Sequence, residues 1–307
     1  KPEPTLTFLN PNNDTITIEQ TNFGYTYTNN INVGTAQVTI TAKPDSTNFT
    51  GARTVNFKII HQLLDATVEV TGTTTYGETL TASYTVNNTD ATFTTTWQYK
   101  DGTNWVNVVD NTQVQLLLTA EGTNLTTVAG KEFRYLLQAT GNFSGSAYSL
   151  PTSNIARKVL TWATTPVVSD KDYDNSNEAT ITTHGTISGV IVNDDVTLVS
   201  SEASATFSDI NAASGIAIVI DGYYISGDHI TNYTLPMPTG VTATINKATP
   251  TISGESATGI IYGNALNNSV ITATVINTNI KDGDKNVTGT FTFDNAIQVR
   301  SVGTWTE

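Results

Sequence analysis

The chain has 307 residues and carries 14 lysines and arginines against 27 aspartates and glutamates, a formal net charge of −13. This charge repels phosphate backbones and anionic lipid surfaces, so we expect neither nucleic acid nor a membrane as a partner. Charged residues make up 13% of the chain, about half the usual share, so uncharged side chains must supply most of the polar surface. The absence of cysteine excludes disulfides, thiolate metal sites and a cysteine nucleophile.

Apolar and polar side chains alternate along most of the chain. Residues 35–40 and 54–59 place an apolar side chain at every second position, which puts these side chains on one face of a strand. Turn-forming pairs such as Asn29-Asn30 follow the alternating runs. The best helical candidate, residues 116–129, contains a glycine and several threonines, so we expect at most a short turn there. The sequence therefore predicts an all-β chain of short strands.

Strands that end near a lysine divide the chain into four predicted modules, which we number from first to fourth. Lys58, Lys158 and Lys247 each close an alternating run that leads almost directly into the next segment, without a Gly/Ser linker. The two central modules are close to the roughly 100 residues of an immunoglobulin-like (Ig-like) β-sandwich. We expect the first module to be incomplete at its N-terminal end and the fourth at its C-terminal end. The predicted bounds are 1–60, 61–158, 159–247 and 248–307.

The first two modules each carry a set of sequence motifs. Those of the first module are Phe23–Ala36, Asn48–Gly51 and Val55–Ile59. Those of the second module are Tyr76–Ala82, Trp97–Tyr99, Gly130–Tyr135 and Gly141–Gly145. The first set resembles a repeat of bacterial surface proteins, and the second resembles a bacterial Ig-like domain. The loop at 121–129 is longer than that domain usually has.

Five stretches of the third module form another set of motifs. They are Lys171–Asp174, Gly185–Val190, Asn193–Val196, Ile225–Asp228 and Asn232–Leu235. This set resembles the YDG module of bacterial haemagglutinin-like and adhesin proteins. Asn175 stands where that module has a glycine, and asparagine also adopts the left-handed conformation that glycine favours. In the fourth module, Ile261–Leu266 and Val287–Phe291 resemble the first part of another Ig-like repeat.

These resemblances imply an all-β chain of tandem Ig-like β-sandwich modules in an extended arrangement. They also imply a function, which is that of a non-catalytic stalk segment in a large, adhesin-like bacterial surface protein. Such a segment projects a functional domain from the cell envelope. The expected location is extracellular, at the bacterial cell surface or cell wall. The expected partners are neighbouring domains of the same chain, and we expect the chain to be a monomer.

Four aromatic residues of these motifs are expected to support the architecture. Trp97 stands mid-strand among threonines and is expected to pack between two sheets. Tyr76, Tyr173 and Tyr262 stand beside glycine or aspartate at strand ends. At such positions a ring covers the edge of the core and its hydroxyl bonds to nearby backbone.

Residues able to catalyse a reaction are few. His61, His184 and His229 are the only histidines, and none lies in a His-Glu-x-x-His motif. The chain has neither a Gly-x-Ser-x-Gly elbow nor a phosphate-binding Gly-Lys-Ser/Thr loop. The carboxylates of the second module are scattered along its sequence, so we expect no enzymatic activity.

Calcium is the one cofactor for which the sequence gives an argument. Asp170, Asp172, Asp174 and Glu178 place several carboxylate oxygens close together in the sequence, and calcium prefers oxygen ligands. The order of these residues does not follow the EF-hand loop. A turn between strands explains the same residues, so both interpretations stay open.

A ligand-binding module is the alternative function. In the second module, Tyr99, Trp105 and Tyr148 are candidates for stacking against a glycan or another host ligand. Trp105 follows a turn at 101–104. The second interpretation of Trp105 is therefore that its ring covers this turn.

Overall fold

The computed structural model describes residues 6–9, 12, 15–18, 20–280 and 283–294. Strand accounts for 48% of the structure and helix for 4%, which confirms the all-β prediction. The chain forms two compact units, residues 1–158 and 159–307. Within the described ranges, no helix combines the length and apolar character that a membrane crossing requires. The predicted first and fourth modules lie partly outside the described residues.

The described part of the first unit is built mainly from short antiparallel strands, with a helical turn, α1, at Ala120–Thr123. A 3-10 turn at Gln20–Asn22 leads into the third strand. The described strands are β1 (Leu6–Leu9), β2 (Thr15–Ile18), β3 (Phe23–Thr28), β4 (Gly34–Ala42), β5 (Ala52–Ile59), β6 (Gln62–Leu63), β7 (Ala66–Gly72), β8 (Thr79–Val86), β9 (Thr92–Asp101), β10 (Asn104–Asn107), β11 (Gln115–Leu117), β12 (Phe133–Thr140), β13 (Phe143–Ser144) and β14 (Ser146–Tyr148).

The first module contains a three-stranded antiparallel sheet in the order β3-β4-β5. Ala36 pairs with Phe57 and Val38 pairs with Val55, so the apolar residues of both strands share one face, as their alternation predicts. Ala36 and Val38 are buried, whereas Val55 and Phe57 are exposed. This difference follows from the position of β5, which lies at the edge of the sheet.

Most strands of the second module lie in two sheets that contact each other. One sheet has the order β10-β9-β12-β14 and the other has the order β11-β8-β7. Trp97, Tyr135 and Leu80 are fully buried between them, and the Trp97 indole donates a hydrogen bond to the carbonyl of Gln113 at 3.0 Å. The predicted core role of Trp97 is confirmed. Burial of each large side chain of this kind contributes about 1.5–3 kcal/mol.

Tyr76 closes one end of this core. Its ring is fully buried, and its hydroxyl accepts a hydrogen bond from the backbone N–H of Ala120 at 3.0 Å, which confirms its predicted role. That bond anchors α1, whose N-cap Thr119 accepts from the N–H of Gly122. A Cβ at Gly122 would lie 2.3 Å from the carbonyl oxygen of Leu117, so the tight loop requires glycine. The expectation of no more than a short turn here is also confirmed.

The second unit has the same short-stranded character. Two 3-10 turns lie at Ile230–Asn232 and Leu266–Asn268. From residue 158 onward the described strands are β15 (Lys158–Val159), β16 (Thr161–Thr164), β17 (Val167–Val168), β18 (Lys171–Asp172), β19 (Glu178–Ala179), β20 (Ile181–Thr183), β21 (Thr186–Ser188), β22 (Thr197–Val199), β23 (Ser204–Phe207), β24 (Ala213–Asp221), β25 (Tyr224–Ser226), β26 (Tyr233–Thr234), β27 (Thr242–Asn246), β28 (Thr251–Ala257) and β29 (Ile271–Ile276).

A five-stranded sheet in the order β18-β27-β24-β23-β19 carries the core of the third module. On β24, Ile216, Ile218 and Ile220 are buried while the residues between them are exposed, as expected for a strand with one covered face. Three strand pairs, β16-β21, β17-β20 and β22-β25, also belong to the module. Phe207, Tyr223, Val241, Ala243 and Ile245 belong to the same buried cluster.

The described part of the fourth module is an antiparallel pair, β28 and β29. Ile252 on β28 is exposed, as are Ile261 and Val270 in the segment that connects the two strands. Tyr262 lies in that segment and is 72% exposed. The expected role of Tyr262 at a core edge is therefore wrong. Tyr76 lies directly beside two packed sheets, whereas the connecting segment around Tyr262 is itself largely exposed.

Candidate functional site

The structure brings two of the three predicted ligand-binding aromatics to one face of the second module. Trp105 on β10 pairs with Lys100, and Tyr148 on β14 pairs with Leu136. Paired residues share a face and neighbours along a strand alternate between faces. Trp105 and Tyr148 therefore lie on the outer face of the four-stranded sheet. Tyr99, two residues after the buried Trp97, lies on the inner face and does not join them.

Arg134 on β12 lies between the two aromatic rings. Its guanidinium carbon is 4.3 Å from the centroid of the Trp105 ring and 4.1 Å from that of Tyr148. Both distances are typical of cation–π contacts. Arg134 is not among the site residues that were predicted from the sequence. The available signal was one charged residue in the middle of the otherwise apolar and aromatic stretch from Phe133 to Leu137.

A row of hydrogen bonds across three strands holds the guanidinium in place. Arg134 Nε donates to Gln98 Oε1 at 2.8 Å, and Gln98 Nε2 donates to Asn107 Oδ1 at 2.8 Å. Gln98 is buried, so its bonds are shielded from water. We call Gln98, Trp105, Asn107, Arg134 and Tyr148 the Arg134 face.

The Arg134 side chain remains charged although it is partly buried. Burial lowers its pKa from the ordinary value, while the Tyr148 hydroxyl acts in the opposite direction. An arginine pKa starts far above neutrality, so the guanidinium remains cationic at neutral pH. At the border of the face, Lys100 Nζ lies 3.1 and 3.2 Å from the two carboxylate oxygens of Glu132. These two charges neutralise each other, which leaves the charge of Arg134 uncompensated.

A cavity of about 410 Å³ borders the Arg134 face. It shares Lys100 and Glu132 with that border, and its other lining residues come mainly from the loop before β12. The Arg134 face itself is an open surface, because Tyr148 is 47% exposed and Asn107 is exposed.

Two sequence motifs of the third module meet in space. Asp195 Oδ2 accepts a hydrogen bond from the N–H of Asp228 at 3.1 Å, and the Tyr233 hydroxyl donates to Asp194 Oδ2 at 2.5 Å. Gly227 has a φ of +126°, and a Cβ there would lie 2.3 Å from the carbonyl oxygen of Asp195. The motifs at 193–196 and 225–228 therefore pack closely against each other.

The part of the chain that contains these motifs matches a known protein family. Residues 156–243 match the sequence profile of the YDG domain family. This part of the chain is a YDG domain. The matched range begins three residues before the predicted third module and ends four residues before its end, so the resemblance drawn from the sequence motifs is confirmed. A search of curated proteins gave no match.

The acidic turn of the YDG domain, proposed above as a calcium site, is organised around a lysine. Lys171 Nζ donates to Asp174 Oδ1 at 2.8 Å, to the Ser176 carbonyl at 2.8 Å and to the Ser176 hydroxyl at 2.9 Å. The same ammonium lies 5.5 Å from the centroid of the Phe207 ring. Asn175 has a φ of +62°, the left-handed conformation for which the motif has glycine.

The other three candidate calcium ligands do not converge on this turn. Asp170 Oδ1 accepts a hydrogen bond from the N–H of Thr244 at 2.6 Å. Asp172 and Glu178 are exposed. In the part of the chain that the structure describes, no three His, Asp or Glu side chains come together as metal ligands. A calcium site at these residues stays a hypothesis, which the Tm measured in calcium and in chelator tests.

The three histidines lie in separate surroundings. His61 is exposed, and His184 Nδ1 lies 2.7 Å from the hydroxyl of buried Tyr223. Burial raises the pKa of Tyr223, against an opposing hydrogen bond with the backbone of Gly185. His229 Nδ1 accepts a hydrogen bond from the N–H of Asp195 at 2.8 Å, which ties His229 to the contact between the two motifs.

Proposed function

We propose that this chain is a non-catalytic stalk segment of a large, adhesin-like bacterial surface protein. In this proposal, Ig-like β-sandwich modules follow one another in an extended arrangement and project a functional domain from the cell envelope. The segment is extracellular and monomeric. Its partners are the neighbouring domains of the same protein.

Hydrogen-bonded junctions between successive modules carry this proposal. In the first unit, Asn142 of the second module accepts from the N–H of Val33 at 3.0 Å and donates to Asn32 Oδ1 at 3.1 Å. Strands β6 and β13 pair in parallel beside this contact. In the second unit, Asn277 donates to the carbonyl of Tyr173 at 3.2 Å. Such contacts restrict bending between adjacent modules, which a projecting stalk requires.

The motif residues of the YDG domain give independent support. Asp174, Asp194 and Asp195 bond to groups of their own domain, so these carboxylates hold the fold together. This use of conspicuous acidic residues suits a structural module better than an enzyme.

Small-angle X-ray scattering on the full chain tests the stalk. A ten-residue strand such as β9 spans roughly 33 Å, so modules in line should give a maximum dimension of several such lengths. We expect the distance distribution of an elongated rod. A symmetric distribution, as given by a compact particle, would contradict the extended arrangement. Sedimentation analysis of the same sample should give the monomer mass of 32.8 kDa.

A second candidate function is a ligand-binding module, and one observation favours it. Trp105 and Tyr148, chosen from sequence as stacking residues, lie on one exposed face with a cation between them. Aromatic side chains beside fixed polar groups are a common lining of binding sites. A binding face on one module is compatible with a stalk built from all of them.

A further inference from the structure

We propose that the Arg134 face binds a carboxylate-bearing sugar, such as a uronic or sialic acid residue of a glycan. This inference rests on the second candidate function and does not depend on the stalk. Three properties of the face support it: free donors on the guanidinium, flanking aromatic rings, and a fixed geometry.

The guanidinium of Arg134 retains hydrogen-bonding capacity. It has five N–H donors, and Nε–H is given to Gln98. Among the described residues, neither terminal nitrogen of Arg134 donates to a protein group. Two parallel N–H groups of one guanidinium match the two oxygens of a carboxylate and form the strongest common pairing for that anion.

The groups around Arg134 suit a sugar ring better than a simple anion. The Tyr148 ring is about half exposed and offers an apolar surface to the C–H groups of a pyranose. Asn107 accepts from Gln98 through Oδ1, which directs its Nδ2 donors away from Gln98 and makes them available to a sugar hydroxyl. A carboxylate on Arg134 would thus have an aromatic ring and an amide beside it.

The site is preorganised. Arg134, Gln98 and Asn107 are cross-strand neighbours on three adjacent strands, and hydrogen bonds fix all three side chains. A ligand therefore does not have to order them on binding, which removes part of the usual entropic cost. Because Glu132 pairs with Lys100, the carboxylate at the border of the face does not occupy the guanidinium.

Saturation-transfer NMR on the full chain tests the proposal with three small probes. Methyl glucuronoside carries the carboxylate, methyl glucoside is the same pyranose without it, and sodium acetate is the carboxylate alone. We expect the glucuronoside to bind at least tenfold more tightly than either control, with signal transfer to its ring protons. A methyl glycoside of sialic acid should bind in the same way.

Substitutions locate the site. Arg134→Gln should abolish the preference for the glucuronoside, whereas Arg157→Gln, which removes the same charge from an exposed position, should leave it unchanged. Asn107→Asp changes an exposed side chain and adds a negative charge beside the guanidinium. It should weaken glucuronoside binding at least tenfold, and it serves as the test if Arg134→Gln does not fold.

Each outcome is decisive. Equal binding of glucoside and glucuronoside would overturn the carboxylate inference while keeping the glycan-binding function. Binding of acetate as tight as that of the glucuronoside would show a simple anion site and overturn the sugar. Binding of none of the probes, or glucuronoside binding unchanged in folded Arg134→Gln, would overturn the proposal entirely. The scattering experiment on the stalk is unaffected by any of these results.

Discussion

The second module and the YDG domain each place a cation against aromatic rings, but they use it differently. Lys171 gives three hydrogen bonds to the turn that contains it and packs near Phe207. Its side chain is 18% exposed and that of its partner Asp174 is 13% exposed. Arg134 gives one hydrogen bond, to Gln98, and lies on an open sheet face between Trp105 and Tyr148.

The number of hydrogen bonds that each cation gives to its own protein separates a structural cation from one that is available to a ligand. A charge whose donors all find acceptors within its own turn stabilises the fold, because removing it leaves those acceptors unpaired in a poorly hydrated place. A charge held by one hydrogen bond, with other donors that have no protein acceptor, stabilises the fold less and leaves those donors for an anion. The variants below separate these two cases.

Replacing Lys171 by methionine should give the largest effect. The substitution keeps an apolar chain near Phe207 but leaves the carboxylate of Asp174 without its counter-charge. Breaking a largely buried pair in this way costs about 3 kcal/mol, which should lower the Tm of the YDG domain by roughly 10–20 °C in calorimetry.

Lys131→Met is the matched control in the second module. Lys131 pairs with Asp101 at 2.9 Å, but the side chain of Asp101 is 63% exposed, so the loss should be less than about 1 kcal/mol. Equal losses from Lys171→Met and Lys131→Met would show that the acidic turn does not depend on its lysine.

Acid should weaken the YDG domain through the same pair. Burial alone would raise the pKa of Asp174, but hydrogen bonds from Lys171 and Ser176, together with the lysine charge, hold this pKa below its ordinary value. The unfolded chain therefore takes up the proton first, near pH 4. The stabilisation is fully present above that pH and is lost as the pH falls through the lower pKa of the native state.

Calorimetry between pH 5 and pH 2 can isolate this contribution. The Tm of the wild-type YDG domain should fall more steeply with acid than that of Asp174→Asn, which has no proton to take up at this position. The effect should be smaller than that of Lys171→Met, because the lysine stays in place. Parallel curves for the two proteins would contradict the role of Asp174.

The sequence predicted the core of the second module better than its surface. Trp97 and Tyr76 could be assigned to the core because a large aromatic side chain in an alternating strand, or at its end, is usually buried. Tyr99 carries the same signal, since it stands two residues after Trp97 and must share its face. The alternation of side chains along a strand was therefore enough to exclude Tyr99 from a site on the outer face of the sheet.

The surroundings of Arg134 and Tyr262 could not be predicted from the local sequence pattern. The partners of Arg134 come from β9, β10 and β14, and only the pairing register of those strands places Trp105 and Tyr148 on either side of it. Tyr262 stands beside a glycine as Tyr76 does, but no packed pair of sheets lies beneath it in the described structure. Long-range pairing, which a short motif does not encode, decides both cases.

Replacing Arg134 by glutamine should have a moderate effect on stability. Two exposed cation–π contacts and one hydrogen bond would be lost, at a net cost of about 1 kcal/mol, or roughly 4–8 °C in the Tm of the second module. Calorimetry on the full chain measures this beside Lys171→Met. A loss as large as that of Lys171→Met would mean that Arg134 is mainly structural and would weaken the comparison between the two cations.

Calcium should have the smallest effect on the YDG domain. The ammonium of Lys171 already supplies a positive charge to Asp174 and Ser176, and Asp170 is bonded to the backbone of Thr244. A cation that does not bind the native state adds nothing to its stability, so we expect the Tm in millimolar calcium and in chelator to agree within about 1 °C. A rise of many degrees would show that calcium binds the native domain. The same rise in Lys171→Met alone would instead show that the lysine keeps the metal out, which would make this acidic turn a calcium site that the lysine has replaced.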